Sequence, residues 1–262
     1  MKPILCDSHM HVFSRSVVPA GASYVPPAKD LNDYLEEASL GKIGRAVIIQ
    51  ASVDGVDNSR LVDTLTAQQA IELRGVAMID EQTQDLESLA KAGVRALRIQ
   101  DRTRLGLNDL ERLPQLANRA AEVDWHVELN TEPARYSRLQ ALLKGLPQGQ
   151  QLVLDHFGHC DPNSTSDIEG LCRLLGSGRI WVKLAPTRVS KQVGQYQDLF
   201  GLVETLASQY TERCLWGSDW PHVMTAEPLP KTSDMLDFMA RVLTQDQFLA
   251  CLSDNPERLY RF

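Results

Sequence analysis

Eight short apolar segments, each rich in β-branched residues and each followed by turn or polar residues, are spaced along this 262-residue chain. Most are too apolar to be surface strands, which is typical of strands buried on both faces of a parallel sheet. They occupy residues 4–11, 46–51, 75–80, 94–100, 126–130, 151–157, 180–185 and 214–219.

Helical patterns lie between these segments. Residues 30–40 place apolar side chains at positions i, i+3, i+4 and i+7 behind Asp30, which is suited to cap a helix N-terminus. Similar patterns follow at residues 61–73, 85–93, 141–146, 166–178 and 198–210. Eight strands alternating with helices predict an α/β fold, a (β/α)8 TIM barrel formed by residues 1–262 as a single domain.

The alternative is an open, doubly wound sheet. No G-x-G-x-x-G follows any of the predicted strands, so the sequence offers no support for a dinucleotide site of that fold. No linker divides the chain. The one long irregular stretch, residues 13–29, is rich in Pro, Gly and Ser and follows the first strand. In a barrel, such a loop lies over the catalytic end.

Composition narrows the range of partners. With 27 Lys and Arg against 34 Asp and Glu, the net charge of −7 argues against binding to nucleic acid or to an anionic membrane surface. We expect no signal peptide, and no apolar run in the sequence is long enough to span a membrane. Five widely spaced cysteines without a C-x-x-C favour a reducing, cytoplasmic location. We expect a small anionic substrate held by a local group of arginines, and the oligomeric state is left open.

Polar residues close several of the apolar segments. Parallel barrels build their chemistry at the C-terminal ends of the strands, so polar residues there point to function more than polar residues elsewhere. The residues concerned are His9, His11, Arg98, Gln100, Asn130, Asp155, His156 and Asp219.

The histidines are concentrated at these strand ends. His9 and His11 share one face of the first strand, because strand side chains alternate, and that face is either the barrel lumen or the helix layer. His156 and His159 follow the sixth strand. The residues alone leave open whether this group holds a metal ion, holds a substrate or simply packs. His126, at a strand start, is expected to be structural, and the role of His222 is left open.

Asp219 and the arginines supply the charges of the predicted site. A carboxylate at the end of an apolar strand is either a salt-bridge partner or a general base, and the nearby histidines favour the base. Arg104 and Arg188 are predicted to hold substrate carboxylates, since a guanidinium offers two parallel donors. We expect Arg95 and Arg102 on a solvated face.

Motifs spread over the whole chain resemble those of a known family. They are CDSHMHVF (6–13), IIQASVDGVDN (48–58), GVRALRI (93–99), LDHFGH (154–159), LWGSDWPH (215–222) and DNPERLYRF (254–262). In this order they resemble the amidohydrolase superfamily, in its branch of 2-pyrone-4,6-dicarboxylate hydrolases, enzymes of aromatic degradation, and related sugar lactonases. The resemblance implies a distorted (β/α)8 barrel and hydrolysis of a lactone, a cyclic carboxylic ester.

The resemblance also implies residue roles. Asp219 would activate water, while His9, His11 and His156 would polarise the lactone carbonyl. The resemblance and the strand ends together predict a set of substrate contacts. These are Tyr24, Ser52, Arg98, Arg104, Asn130, His159 and Arg188. Two of these depart from the pyrone enzymes, because Asn130 replaces a tyrosine and His159 an arginine. The resemblance therefore extends to lactone chemistry more firmly than to a substrate with two carboxylates.

The metal content is a separate question. A binuclear site is not expected, because the fourth and fifth strands end in Arg98, Gln100 and Asn130. One zinc ion bound by His9, His11, His156 and Asp219 is chemically sound. The arginines disfavour a dication, however, and the resemblance is closest to enzymes that work without metal.

We therefore expect no cofactor, with one zinc ion as the alternative. Two other interpretations of the function stay open. One is a zinc-dependent hydrolase or decarboxylase of the wider superfamily that acts on a small carboxylated substrate. The other is a barrel that binds a metabolite without catalysis.

Overall fold

A computed structural model of the chain describes residues 3–13, 24–67, 70–103 and 106–262. Within these residues, eight parallel strands form one sheet in the order β1 to β8. The strands are β1 Leu5–Met10, β2 Ile43–Ile49, β3 Glu72–Ala77, β4 Val94–Gln100, β5 His126–Asn130, β6 Leu152–Leu154, β7 Ile180–Leu184 and β8 Cys214–Trp216. The helices are α1 Leu31–Gly41, α2 Ser59–Thr66, α3 Leu86–Ala92, α4 Leu113–Glu122, α5 Tyr136–Leu142, α6 Thr165–Leu175, α7 Phe200–Tyr210, α8 Thr232–Val242, α9 Gln245–Leu249 and α10 Asn255–Tyr260.

The sheet closes on itself where the residues after β8 meet β1. Met10 and Trp220 form a parallel bridge. The backbone N–H of Asp219 donates to the carbonyl of His9 at 2.8 Å, and that of His11 donates to the carbonyl of Trp220 at 2.8 Å. The predicted single-domain (β/α)8 barrel is therefore confirmed.

Several predicted element bounds are wrong. Residues 61–73 form no continuous helix, because α2 ends at Thr66 and β3 begins at Glu72, where pairing with Arg45 of β2 outweighs local helix propensity. Strand β6 stops at Leu154, since the backbone is left-handed from His156 to His159 (φ 48° to 60°). Asp30 caps α1 as predicted, accepting from the backbone N–H of Asn32 and of Asp33.

The core has two layers. The larger one lies between the strands and the helices, and the smaller one fills the barrel interior. Buried interior residues are Cys6, Val47, Ile49, Val76, Ala96, Val153, Trp181, Leu215 and Tyr260. Tyr260 enters from α10 and donates its hydroxyl proton to Glu128 of β5 at 2.7 Å. The chain end thus packs into the barrel below the catalytic side.

An irregularity in β1 turns the two histidines inward. Cys6 belongs to the interior layer and Met10 to the outer layer, although residues four apart face the same way in a regular strand. The register between β1 and β2 shifts between Asp7 and Met10, which accounts for the change. His9 and His11 follow that shift and face the barrel interior, as their contacts below show.

Most of the predicted loop over the catalytic end lies outside the described residues, as does Arg104. Phe13 and residues 24–29 are described, and the ring of Tyr24 packs edge-on against Phe13 at a centroid distance of 6.4 Å. Among the helices that the structure describes, none has the length and apolar character needed to cross a membrane.

Candidate active site

The residues at the C-terminal ends of β1, β6 and β8 meet in one buried cluster. The ring nitrogens Nε2 of His9 and His11 lie 3.7 Å and 3.6 Å from Oδ1 of Asp219. The ring of His156 lies 4.7 Å from that of His9 between centroids. All four side chains are buried. The structure thus brings together the four residues that were predicted to be catalytic.

Gly217 permits the close approach of the two strand ends. A Cβ atom at this position would lie 2.6 Å from Cβ and 3.0 Å from the backbone nitrogen of His9, too close for any side chain. Beside it, buried Asp7 accepts a hydrogen bond from the backbone N–H of Ser218 at 2.9 Å and another from the hydroxyl of Tyr34 at 3.0 Å. These contacts fix the backbone that carries Asp219, and sequence reasoning missed the role of Asp7.

Asp219 is held as a carboxylate. Arg188 donates from Nε to its Oδ2 at 2.6 Å, and the Thr187 hydroxyl donates to the same oxygen at 3.3 Å. Burial raises the pKa of this carboxyl, but the charge of Arg188 is the strongest opposing influence, and the pKa lies well below its usual range. Its backbone is left-handed, with φ of 61°, which asparagine and aspartate tolerate better than most residues. The charged oxygen Oδ1 therefore faces the histidines at neutral pH.

His9 and His156 are neutral in this environment. Burial, reinforced by the charge of Lys183, lowers the pKa of His9 to about 4. Burial also lowers the pKa of His156 well below its usual range, and its Nδ1 has no partner among the described residues. The Nδ1 atom of His11 lies 2.9 Å from the carbonyl oxygen of Ile49. Neutral imidazoles keep both a donor and an acceptor nitrogen for a ligand.

A layer of buried charges lies directly below the histidines. Lys183 of β7 contacts Glu128 of β5, Oδ1 of Asp155 at 3.3 Å and Nδ1 of His9 at 3.1 Å. Arg98 donates from Nε to Oδ2 of Asp155 at 3.0 Å. Sequence reasoning missed Lys183 and Glu128, although a charged residue inside an apolar strand is itself a signal of a buried partner. His126 is buried against Glu128, in line with the expected structural role.

The predicted substrate contacts are spread around this cluster. The hydroxyl of Tyr24 hydrogen-bonds the side chain of Ser52, and burial raises its pKa. Asn130 donates to Gln100 at 2.7 Å, and its Oδ1 lies 2.9 Å from Nε2 of His159. Asn130 and His159, the two departures from the pyrone enzymes, are therefore hydrogen-bonded to each other.

Arg102, Arg95 and His222 are all at least partly buried. Arg102 is buried and pairs with Glu132 at 3.2 Å, so its expected solvated position is wrong. Arg95 is half-buried and donates to the backbone carbonyls of Ala90 in α3 and of Val94 in its own strand. Burial lowers the pKa of His222 to about 4, and neither of its ring nitrogens has a partner among the described residues. A ligand or water is needed to satisfy that ring.

Two cavities open at opposite ends of the barrel. One of about 270 Å³ lies on the catalytic side, between His159 and Arg188. Within the described part of the chain, Arg188 donates a hydrogen bond from Nε alone, so its terminal guanidinium nitrogens are available to a carboxylate. The other, of about 640 Å³, lies at the strand starts, around His126 and Trp181, far from the Asp219 cluster.

The cluster meets some of the requirements of a site for a divalent cation. The possible ligand atoms of His9, His11 and Asp219 lie within 4.8 Å of one another, and so do those of His9, Asp155 and His156. Nitrogen and carboxylate ligands suit zinc. The surrounding positive charges disfavour a cation, because Lys183 contacts His9 and Arg188 contacts Asp219.

Comparisons with known proteins agree with this geometry. The amidohydrolase family model matches residues 6–262. A 2-pyrone-4,6-dicarboxylate hydrolase of Comamonas testosteroni is 28% identical, over 97% of this chain and 89% of that protein. A 4-sulfomuconolactone hydrolase of Rhizobium radiobacter is 29% identical, also over 97% and 89%. A crystal structure from Pseudomonas putida, described as a 2-pyrone-4,6-dicarboxylic acid hydrolase, superposes with a TM-score of 0.84 at 28% identity and covers 100% of this chain and 98% of that one.

Proposed function

The chain belongs to the amidohydrolase family, and from this membership we propose that it is a hydrolase that opens a carboxylated lactone with Asp219 as the general base. The observation that carries the proposal is the ionised Asp219 carboxylate, less than 4 Å from His9 and His11 at the C-terminal side of the barrel. The relatives reported above are named for 2-pyrone-4,6-dicarboxylate and 4-sulfomuconolactone, both anionic lactones.

The reaction follows from the placement of these groups. Water gives one proton to Asp219 as its oxygen bonds to the lactone carbonyl carbon. The carbonyl oxygen becomes negative, and a buried imidazole stabilises it with a hydrogen bond. The bond between that carbon and the ring oxygen then breaks, and the leaving oxygen takes the proton back from Asp219. An enolate leaving group departs readily, so the lactone of a pyrone requires less electrophilic help than an amide.

Charge complementarity supports a carboxylated substrate. Arg188 joins the two parts of the site, because its Nε holds Asp219, the residue lines the 270 Å³ cavity, and its terminal nitrogens donate no hydrogen bond to the described residues. A carboxylate on these nitrogens would place the substrate within reach of the base. On the other side, Asn130 and His159 are hydrogen-bonded to each other, where the pyrone enzymes carry a tyrosine and an arginine. The absence of that arginine favours a polar or singly charged group there over a second carboxylate.

We propose that no metal ion takes part. The cations Lys183, Arg98 and Arg188 surround the cluster and supply positive charge that a zinc ion would otherwise provide. The second candidate, a zinc-dependent hydrolase or decarboxylase, is favoured by the 4.8 Å grouping of His9, His11 and Asp219. In that case the ion would act as a Lewis acid, and these three residues with His156 would hold it.

A lactone panel tests the proposal. Pyrone, muconolactone and sugar lactones are each incubated with the enzyme, with and without a chelator, and the acid released is titrated. We expect turnover of a carboxylated lactone at the same rate in both conditions. Loss of activity together with one equivalent of zinc would instead support the second candidate. Tight lactone binding without turnover would support a binding protein.

Replacement of the base tests the assignment of Asp219. We expect Asp219→Asn to lower kcat about 10²–10⁴-fold, the usual contribution of a general base, with a smaller change in KM. Asp237→Asn, an exposed aspartate on α8, is the matched control and should retain wild-type activity. Full activity of Asp219→Asn would remove the assignment.

A further inference from the structure

The two histidines of β1 have different partners at Nδ1. For His11 the partner is the backbone carbonyl of Ile49 at 2.9 Å. A carbonyl oxygen only accepts hydrogen bonds, so Nδ1 of His11 carries the proton. When the ring is uncharged, Nε2 is therefore an acceptor, and this is the atom that faces Asp219.

For His9 the partner is the amine of Lys183 at 3.1 Å. Lys183 is fully buried and contacts two carboxylates, Glu128 and Asp155. The two negative charges are balanced by the ammonium of Lys183 and the guanidinium of Arg98. Burial alone would raise the pKa of Glu128, yet the charge of Lys183 lowers it to about 2. An ammonium group only donates, so Nδ1 of His9 accepts and Nε2 carries the proton.

Asp155 competes for the same atom of His9. Its Oδ1 lies 3.2 Å from Nδ1, and a hydrogen bond between them would require the opposite tautomer. This oxygen, however, accepts no hydrogen bond of acceptable geometry from the described residues, whereas the contact between Lys183 and His9 has that geometry. The charge of Asp155 is instead met at Oδ2 by Arg98. The geometry therefore favours the lysine as the partner of His9.

We propose that Lys183 is a positioning residue that holds His9 in the tautomer protonated at Nε2, so that the two histidines of the pair have opposite functions. His9 donates to the lactone carbonyl oxygen as that oxygen becomes negative. His11 accepts a hydrogen bond from the attacking water, whose other proton is transferred to Asp219. This division rests on the proposed lactone hydrolysis, whereas the tautomers themselves do not depend on it.

The distances are consistent with this division. Nε2 of His11 lies 3.6 Å from Oδ1 of Asp219, so one water between these two atoms has two acceptors. Nε2 of His9 lies 3.7 Å from the same oxygen. The same water then lies beside the donor on His9, where the carbonyl oxygen belongs. A His9 ring of this tautomer has no lone pair at Nε2, so that atom is unsuited to bind a cation.

Nuclear magnetic resonance of ¹⁵N-histidine-labelled protein tests the tautomers directly, because the two ring nitrogens shift differently when protonated. His9→Gln and His11→Gln variants assign the signals. We expect His9 protonated at Nε2 and His11 at Nδ1 in the wild-type protein. A wild-type His9 protonated at Nδ1 would overturn the proposal.

The role of Lys183 is tested by Lys183→Met, which removes the donor at similar length. We expect His9 to change to the Nδ1-protonated tautomer, bonded to Asp155, and kcat to fall about 10–100-fold with KM changed less than threefold. Glu128→Gln is the matched control, since it alters the same buried layer without touching His9. It should keep the tautomer of His9.

Lys183→Met leaves Glu128 without its cation and can unfold the protein for that reason. The double variant Lys183→Met/Glu128→Gln removes both charges and is the second test of the tautomer. An unchanged tautomer of His9 in either folded variant would overturn the role of Lys183. If no lactone is hydrolysed but the tautomers are opposite and depend on Lys183, the hydrogen-bond assignment stands and the proposed function fails.

Discussion

Replacing Gly217 by alanine tests whether the close approach of β1 and the residues after β8 sets the catalytic geometry. The added methyl group would lie 2.6 Å from Cβ of His9 and 3.3 Å from its Cα. These atoms belong to or adjoin the backbone, so the two segments must separate by about 1 Å to restore van der Waals distance. Such overpacking costs about 1–3 kcal/mol of stability. A displacement of this size between His9 and Asp219 lowers kcat about 10²-fold.

Urea unfolding gives the change in stability, and steady-state kinetics with the best lactone of the panel gives kcat. Gly201→Ala is the matched control, because a methyl group there meets nothing within 4 Å and the residue lies in α7. Alanine in a helix is expected to stabilise the protein by up to about 1 kcal/mol. The reasoning is refuted if Gly217→Ala has wild-type stability and kcat, or if the two variants behave alike.

Two further predictions concern pH. Arg188→Gln should move the acid limb of kcat/KM to higher pH, because the raising effect of burial on the pKa of Asp219 then meets less opposing charge. Arg173→Gln, on the surface, is the control. An acid limb at the same pH in both variants would contradict the prediction. The free energy of unfolding should fall as pH drops from 6.5 towards 4, because the pKa of His9 and of His222 is about 4 when folded and near 6.5 when unfolded, so the unfolded chain binds more protons in this window. Each histidine contributes up to about 1.4 kcal/mol per pH unit, and equal urea midpoints at pH 7 and pH 5 would contradict this.

The fold was predictable because its signal is repeated eight times. Each apolar segment is weak alone, but eight of them between helical patterns leave few architectures that bury them all. Strands β4 and β5 match their predicted bounds, residues 94–100 and 126–130. The errors lie where tertiary contacts override local pattern, as at residues 61–73, where sheet pairing ends the helix early.

The candidate site was predictable to the level of residue type. Polar residues at strand ends located His9, His11, His156 and Asp219, which the structure places together. Their hydrogen bonds were not predictable, because they depend on side chains from strands far apart in sequence. Lys183 reaches His9 across 174 residues of chain, and nothing local to either residue records that contact. Arg102 was misjudged for the same reason, since its partner Glu132 lies on another strand end.

The seam where the barrel closes also has a consequence for folding. His9 and Asp219 lie at opposite ends of the sequence, and their backbones are joined by the hydrogen bonds that complete the ring. A chain with all its helices and strands formed but the ring still open would place the base away from the histidines. Recovery of turnover after dilution from denaturant therefore reports ring closure itself, whereas circular dichroism reports the earlier formation of secondary structure. A lag between the two signals would time the last step of assembly.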